Sequence, residues 1–186
     1  MSPADSGRHP VVPPTVAHAD FDATPDVADT SFVRFRDRAR ARAGAADLLT
    51  FRIGEERFAF DIRAVDEILE STELQRIPEA PPALLGVTAF RGHALAVFEP
   101  AGFLGITPRV GATVLVMRSG ERRIGLLVDD VDDVESFDLS TLADPPFGAG
   151  DELLLGVVWR EGTLTAVIDA RALVGACHLA GAGRAA

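Results

Sequence analysis

The sequence predicts an all-β fold with short helices, built from two similar β-subdomains. Three observations predict it: short segments in which apolar and polar residues alternate, turn signals spaced roughly ten residues apart, and an internal repeat of the whole pattern. The alternation is clearest where Phe58, Phe60 and Ile62 are separated by Ala59 and Asp61. Side chains two apart share one face of a strand, so this pattern is typical of a half-buried strand.

Turn signals separate the expected strands. They are Gly54-Glu55, Arg91-Gly92, Ser119-Gly120 and Glu161-Gly162. Each copy is therefore expected to contain a strand, a turn, a second strand, a bent third strand, a loop, a hairpin and a short helix that ends at glycine. The helix-ending glycines are Gly105 and Gly175.

The repeat appears when the chain is shifted along itself. A shift of 66 superposes Gly54–Phe60 on Gly120–Leu126, and Val65–Ile68 on Val131–Val134. A shift of 70 superposes Leu85–Val87 on Leu155–Val157 and Gly92 on Gly162, so a four-residue insertion is expected near Pro145–Asp151. The copies span about 47–105 and 112–175. At roughly 60 residues each is small for an independent core, so we expect the two to pack together.

The ends of the chain differ from this domain. Residues 1–46 are rich in Pro and Ala and carry six Arg against six Asp, so they are predicted to be a disordered N-terminal tail. Within them the Arg-rich segment Phe32–Ala43 could form a short helix, although a solvated linker is the favoured interpretation. The domain itself is expected at 47–178, and residues 179–186 are expected to be a flexible C-terminus.

Composition excludes several function classes. All 18 basic residues are Arg, and without Lys there is no phosphate-loop, kinase or Schiff-base lysine. The net charge of −10 argues against general nucleic-acid binding. A single Cys and no Cys/His cluster argue against zinc. No signal peptide and no long apolar run is found, so a soluble, cytoplasmic protein is expected.

Catalytic and metal-binding motifs are not found, and no cofactor or metal is expected. The acidic run Asp129–Asp133 lacks the glycine of a calcium loop, so a solvated acidic strand is favoured. A metal-dependent enzyme using this run is kept as an unfavoured alternative, as is a nucleic-acid binder using the Arg residues at 34–42. His93 is interpreted as a surface strand residue, and Cys177 as a partly buried structural thiol just past a helix end.

The ordered motifs resemble one known family, the CheW-like domain. The resemblance covers about residues 47–178 and rests on the following segments: Phe51–Gly54, Phe58–Ile62, Val65–Ile68, Ile77–Pro81, Leu85–Val87, Phe90–Gly92, Ile124–Val131, Leu155–Val157 and Leu164–Asp169.

This resemblance implies a fold of two intertwined five-stranded SH3-like barrels. It also implies a non-enzymatic adaptor that couples methyl-accepting chemoreceptors to a CheA-type histidine kinase in arrays at the inner face of the membrane. In the family, receptor tips dock in the groove between subdomains, and the kinase docks at exposed apolar strands at a subdomain end. The resemblance also implies CheW-like ring partners. Neither nucleic-acid binding nor direct membrane insertion is implied.

The resemblance also supplies candidate partner-binding residues. They are Arg91, Glu67, Val65, Gly86, Ile68 and Val87. Glu67 is a candidate partner of Arg91, and Gly86 could instead be structural because Gly156 occupies its place in the second copy. The chain departs from the family pattern at Ala89, Ala96 and Glu99-Pro100, so a divergent scaffold of a twitching-motility or other non-flagellar pathway is the alternative.

Overall fold

The computed structural model describes residues 44–70, 72–107, 111–119, 122–145, 151–160 and 162–182. The predictions for the tail up to residue 43, for the Arg-rich segment, for the four-residue insertion and for residues 183–186 lie outside these ranges.

The described part of the chain is mostly strand, with two helices. The strands are β1 Ala45–Ile53, β2 Glu56–Asp61, β3 Val65–Glu70, β4 Leu84–Phe90, β5 His93–Phe98, β6 Thr113–Ser119, β7 Arg122–Val128, β8 Asp130–Asp138, β9 Leu154–Arg160 and β10 Thr163–Ile168. The helices are α1 Ala101–Leu104 and α2 Ala170–Ala182, and short 3₁₀ turns lie at Ile62–Ala64, Leu139–Thr141 and Asp151–Leu153.

These strands form two five-stranded sheets. One, called barrel A here, has the order β8-β1-β2-β10-β9, and the other, barrel B, has the order β3-β6-β7-β5-β4. Backbone bridges draw the edges of each sheet together, because Gln75, beyond β3, pairs with Val87 of β4, and Ala143, beyond β8, pairs with Val157 of β9. The predicted all-β class with two five-stranded units is confirmed.

The sheets do not follow the two contiguous copies. Barrel A takes β1 and β2 from the first copy and β8 to β10 from the second, and barrel B takes β3 to β5 and β6 to β7. The exchange arises because the first hairpin of each copy pairs antiparallel with the third strand of the other, β1 with β8 and β6 with β3. The copies at 47–105 and 112–175 therefore mark a repeated strand order, and neither forms a sheet alone.

Three apolar clusters stabilise the arrangement. One lies in barrel A and includes Leu48, Ala59 and Val167. The cluster in barrel B contains Val114 and Val97, the counterparts of Leu48 and Val167 in the repeat. The largest joins the barrels and both helices; its buried members include Leu49, Phe51, Phe60, Leu104, Leu115, Met117, Leu126, Ile168 and Leu173. Because strands of both sheets contribute to it, the barrels share this core.

At both ends of the domain the elements extend beyond the expected limits. β1 begins at Ala45, which pairs with Asp138, two residues before the expected start at residue 47. The second helix passes Gly175 and runs to Ala182, so residues 179–182 are helical and Cys177 lies buried inside the helix. Good helix formers follow Gly175 in the sequence, and they extend the helix through it. At Gly105, by contrast, the left-handed φ of 70° ends α1 as predicted.

Neither helix in the described ranges is both long and apolar enough to cross a membrane.

Candidate partner-binding surface

Arg91 occupies a strained position in a tight hairpin turn. Phe90 of β4 pairs with His93 of β5, which leaves Arg91 and Gly92 as the two turn residues, with φ of 50° and 81°. Two positive φ values define a type I′ turn, in which Asn, Asp and Gly are the usual residues. An arginine in the left-handed region is uncommon, because its Cβ crowds the following carbonyl.

The side chain of Arg91 makes two contacts and remains accessible. Its Nη2 donates to Oε2 of Glu67 at 2.5 Å, and its Cζ lies 5.0 Å from the centre of the Phe90 ring. The side chain is nevertheless 64% exposed. Glu67 lies on β3, the opposite edge strand of barrel B, so the ion pair joins the two edges. The prediction that Glu67 is the partner of Arg91 is confirmed.

The other predicted residues divide into exposed and structural positions. Ile68, next to Glu67, is 41% exposed and lies on the free edge of β3. Val65 is half-buried and packs against the core between the barrels. Val87 is half-buried too, and its backbone pairs with Ala96 and with Gln75. A direct contact with a partner is therefore geometrically open to Arg91, Glu67 and Ile68.

Gly86 is buried and has a backbone role. A Cβ at this position would lie 2.4 Å from the carbonyl oxygen of Gln75. Gly156 repeats the arrangement in barrel A, where a Cβ would lie 2.6 Å from the carbonyl oxygen of Ala143. In both barrels the missing side chain lets the segment beyond the first edge strand bond to the other edge.

An open cavity of about 440 Å³ adjoins Arg91. It is called the Ala94 pocket here and is lined by Phe90, Arg91, His93, Ala94, Leu95 and Arg123. Phe90 and Leu95 belong to the core of barrel B, whereas Arg91, His93 and Ala94 are exposed. The pocket therefore combines apolar side chains with two guanidinium groups.

A buried carboxylate beside this surface was not singled out by the sequence analysis. Asp66 is only 6% exposed at its side chain and accepts hydrogen bonds from Nε of Arg118 at 2.7 Å and Nε of Arg123 at 2.5 Å. Hydrogen bonding from Arg118 is the main cause that lowers the pKa of Asp66. The shift of 66 places Asp132, Arg52 and Arg57 at the equivalent positions, so the repeat contains the signal for this cluster.

The equivalent cluster in barrel A uses part of the acidic run. Oδ2 of Asp132 accepts from Nε of Arg57 at 2.8 Å, and Oδ1 accepts from Nε of Arg52 at 3.3 Å. Asp129 accepts from the backbone N–H of Gly54 at 2.6 Å. Within the described residues, no group of three or more His, Cys, Asp or Glu could hold a metal ion. The run thus supplies strand and ion-pair contacts.

The Arg91–Glu67 pair is not repeated in the second copy. The two shifts place Asp133 opposite Glu67 and Glu161 opposite Arg91, which are two acids in the sequence. In barrel A a different arginine reaches the edge strand β8: Nη1 of Arg160 donates to the carbonyl oxygen of Ser136 at 3.0 Å. The pair is therefore a feature of barrel B alone.

Comparison with known proteins agrees with this architecture. A family model described as the CheW-like domain matches residues 47–177. The chain is 31% identical over 132 residues to the chemotaxis protein CheW of Rhizobium meliloti (strain 1021), covering 68% of this chain and 85% of the relative. It is 31% identical over 140 residues to the protein FrzA of Myxococcus xanthus, covering 70% and 86% respectively.

A solved structure shows the same fold. The crystal structure of the scaffolding protein TtCheW from Thermoanaerobacter tengcongensis aligns with a TM-score of 0.63 at 22% identity, over 70% of this chain and 92% of that one. The family model spans most of the sequence, and the exchanged pair of five-stranded sheets agrees with it. The chain belongs to the CheW family of chemotaxis proteins.

Proposed function

We propose that this protein is a non-enzymatic adaptor that couples the cytoplasmic tip of a methyl-accepting chemoreceptor to the regulatory domain of a CheA-type histidine kinase. The proposal follows from membership of the CheW family and places the protein in receptor arrays at the inner face of the membrane. The partner-binding surface is the exposed part of barrel B formed by Arg91, Glu67 and Ile68.

The observation that carries the site is the strained backbone of Arg91. A non-glycine residue in a sparsely populated conformation destabilises the fold by about 1–3 kcal/mol. An exposed ion pair contributes only about 0–1 kcal/mol, so the pair with Glu67 does not offset that strain. A cation held at a turn tip at a net loss of stability is a strong candidate for a binding group, because arginine can bind a partner carboxylate through two parallel hydrogen bonds.

The surroundings of Arg91 suit a protein surface. Glu67 and Phe90 fix the guanidinium while most of it stays accessible, so little side-chain entropy is lost on binding. Ile68, the next residue along β3, adds an exposed apolar side chain to barrel B. The two barrels share one core, so they hold two surfaces in a fixed relative geometry. Such a body can transmit the state of one partner to the other through differential binding.

The binding test uses the intact chain with a receptor cytoplasmic fragment and a kinase regulatory domain encoded near it in the genome. We expect the wild type to bind both. Arg91→Asn, which suits a type I′ turn, should raise the Kd for at least one partner about tenfold or more, equivalent to about 1.4 kcal/mol.

Arg171→Gln is the matched control, because Arg171 is an exposed arginine on α2 outside this surface. It should leave both Kd values unchanged. Failure of the wild type to bind either partner would overturn the adaptor proposal. Unchanged binding by Arg91→Asn would overturn the site assignment while leaving the adaptor role intact.

A further inference from the structure

The edge strand of barrel A carries exposed carboxylates that the rest of the described chain leaves without a cation. Asp130, Asp133 and Asp138 of β8 are exposed, and none of them forms an ion pair within the described ranges. Each accepts a hydrogen bond from a backbone N–H one or two positions further along the chain, which leaves its charge uncompensated. Val134 lies among them and is 45% exposed. These four residues are called the β8 edge here.

Barrel B shows which contact the β8 edge lacks. The shift of 66 places Glu67 at the position of Asp133, and Glu67 is paired with Arg91 at the tip of the β4–β5 hairpin. The shift of 70 places Glu161, another acid, at the position of that arginine. Asp133 therefore lies where its counterpart has a cation, and position 161 does not supply one.

The chain that precedes β1 contains a series of arginines. Arg occupies every second position from 34 to 42, five in all, with Asp37 as the one acid among them. This segment, called the arginine segment here, lies outside the described residues. Side chains two positions apart share one side of an extended chain, so all five guanidinium groups can face one surface. The arginine segment thus has the charge and the spacing to match a row of carboxylates on a strand.

β1 attaches the arginine segment beside the β8 edge. Ala45 pairs with Asp138, and the carbonyl oxygen of Gly44 accepts a hydrogen bond from the N–H of Leu139 at 3.3 Å. Arg42 is two residues before Gly44, so their Cα atoms are about 7 Å apart at most. A reversal of the chain here directs the segment back along β8. Nine extended residues span about 30 Å, which is also the length of the nine-residue strand β8.

We infer that the arginine segment docks on the β8 edge of its own chain, where its guanidinium groups pair with Asp130, Asp133 and Asp138. One of these groups then supplies to Asp133 the cation that Glu67 receives from Arg91. Attachment through β1 keeps the segment at an effective concentration in the millimolar range. Several exposed ion pairs of about 0–1 kcal/mol each are therefore enough to hold it.

Docking makes the two similar barrels different for a partner. Val134 is the counterpart of Ile68 under the shift of 66, and both side chains are exposed. The docked segment covers Val134, whereas the connection before β6, the counterpart of β1, contains a single arginine, Arg109. Ile68 therefore stays accessible. This inference goes beyond the proposed function, which does not require any contact of the arginine segment with the barrels.

A spin label tests the contact in the full chain. Cys177 is fully buried, so a cysteine introduced by Ala39→Cys can be labelled selectively with a nitroxide. At low salt the label should broaden the amide NMR signals of β8, Val134 among them, more than any others in the domain. Broadening should fall at least twofold at about 1 M salt, where the Debye length is about 3 Å. Broadening that is absent, evenly spread or insensitive to salt would overturn the inference.

Two triple variants separate the β8 edge from negative charge in general. One neutralises the edge without changing its shape: Asp130→Asn/Asp133→Asn/Asp138→Asn. The control neutralises as many exposed acids in and after β3: Glu70→Gln/Glu73→Gln/Glu79→Gln. We expect the broadening at Val134 to fall by at least half in the first variant and to be unchanged in the second. Equal broadening in the two variants would overturn the inference.

Two further measurements distinguish other occupants and other ligands. When the spin-labelled chain is mixed with an isotopically labelled chain that carries no spin label, the β8 signals should stay sharp. Broadening in this mixture would mean that the segment binds a second copy. Vesicles of phosphatidylglycerol, an anionic lipid, should leave the broadening within a single chain unchanged. A segment that leaves the β8 edge for the vesicles would be a membrane-binding element, and either result would overturn the inference.

Discussion

Arg57 on β2 and Asp132 on β8 form an ion pair at 2.8 Å, and the repeat places the same pair in the other barrel, between Arg123 on β7 and Asp66 on β3 at 2.5 Å. In each barrel the arginine belongs to one copy and the aspartate to the other. The two pairs are therefore reciprocal links between the exchanged halves of the chain.

Asp66→Asn should lower the free energy of unfolding by about 0.5–1.5 kcal/mol. The carboxylate is hydrogen-bonded to two arginines that are 59% and 43% exposed, so solvent screens part of the gain from these charge-assisted bonds. Urea denaturation followed by circular dichroism measures the change. Glu70→Gln, an exposed change on the same strand, should have almost no effect. Equal stability of Asp66→Asn and the wild type would show that the link is not stabilising.

The difference in free energy of unfolding between the wild type and Asp66→Asn should depend on pH. The pKa of Asp66 is lowered in the folded state, chiefly by Arg118. Stabilisation from this ionised group is complete above the ordinary aspartate pKa, about 3.9, and is lost as the pH falls through the lower folded value. Unfolding curves between pH 7 and pH 2 should thus converge only at the acidic end. A difference that stays constant over this range would contradict the assignment.

Replacing glycine by alanine should change the stability of the protein in opposite directions at two positions. Gly86→Ala should destabilise the protein by about 1–3 kcal/mol, because the new Cβ would press on the Gln75 carbonyl. Gly175→Ala should stabilise it by about 0.5–1 kcal/mol, because the site lies inside α2 and nothing is within 4 Å of the new Cβ. Thermal melts of both variants test this. If Gly86→Ala melts at the same temperature as the wild type, a Cβ at this position does not clash with the Gln75 carbonyl.

Arg91→Asn should leave the stability within about 1 kcal/mol of the wild type. Relief of the left-handed strain at the turn offsets the loss of an exposed ion pair. Chemical denaturation is the measurement, and Gly92→Ala is the informative comparison, because alanine at a φ of 81° is strained and should destabilise. A large loss of stability in Arg91→Asn would mean that Arg91 has a mainly structural role.

Cys177 should be unreactive in the folded protein. It is fully buried in α2, and burial raises the pKa of its thiol to about 12, so almost no thiolate is present at pH 8. Reaction with a chromogenic disulfide reagent should therefore be slow in buffer and rapid in denaturant. Fast labelling of the native protein would show that α2 opens readily.

The fold class could be predicted from the sequence because the signals for it, strand alternation and regularly spaced turns, are local. Strand alternation and glycine turns are visible within a few residues, and the repeat ordered them into two series. Which series pairs with which is not local: the antiparallel pairing of β1 with β8 brings together residues as far apart as Ala45 and Asp138, which are 93 positions from each other. Nothing in either strand alone distinguishes this exchange from pairing within one copy.

The residues of the candidate surface followed from the family resemblance, and the local pattern predicted only the elements on which they lie. Arg91 could be assigned to a turn, and Glu67 to a strand, from their neighbours in sequence. The helix expected to end at Gly175 continues, because glycine ends a helix only where its φ is positive, and inside α2 the flanking helix formers keep Gly175 helical. The Asp66 cluster was missed because its charged residues look like ordinary solvated strand positions until the hairpin and edge strand are paired.

The exchange of strands has a mechanical consequence. Since β1 and β2 complete one barrel while the rest of their copy builds the other, neither barrel can come apart and leave its neighbour whole. The chain is expected to unfold in one cooperative step despite its two-part appearance. A fragment that ends between β5 and β6 would contain two incomplete sheets. We therefore expect the two barrels to move as one rigid body, so that a displacement of one barrel also displaces the other.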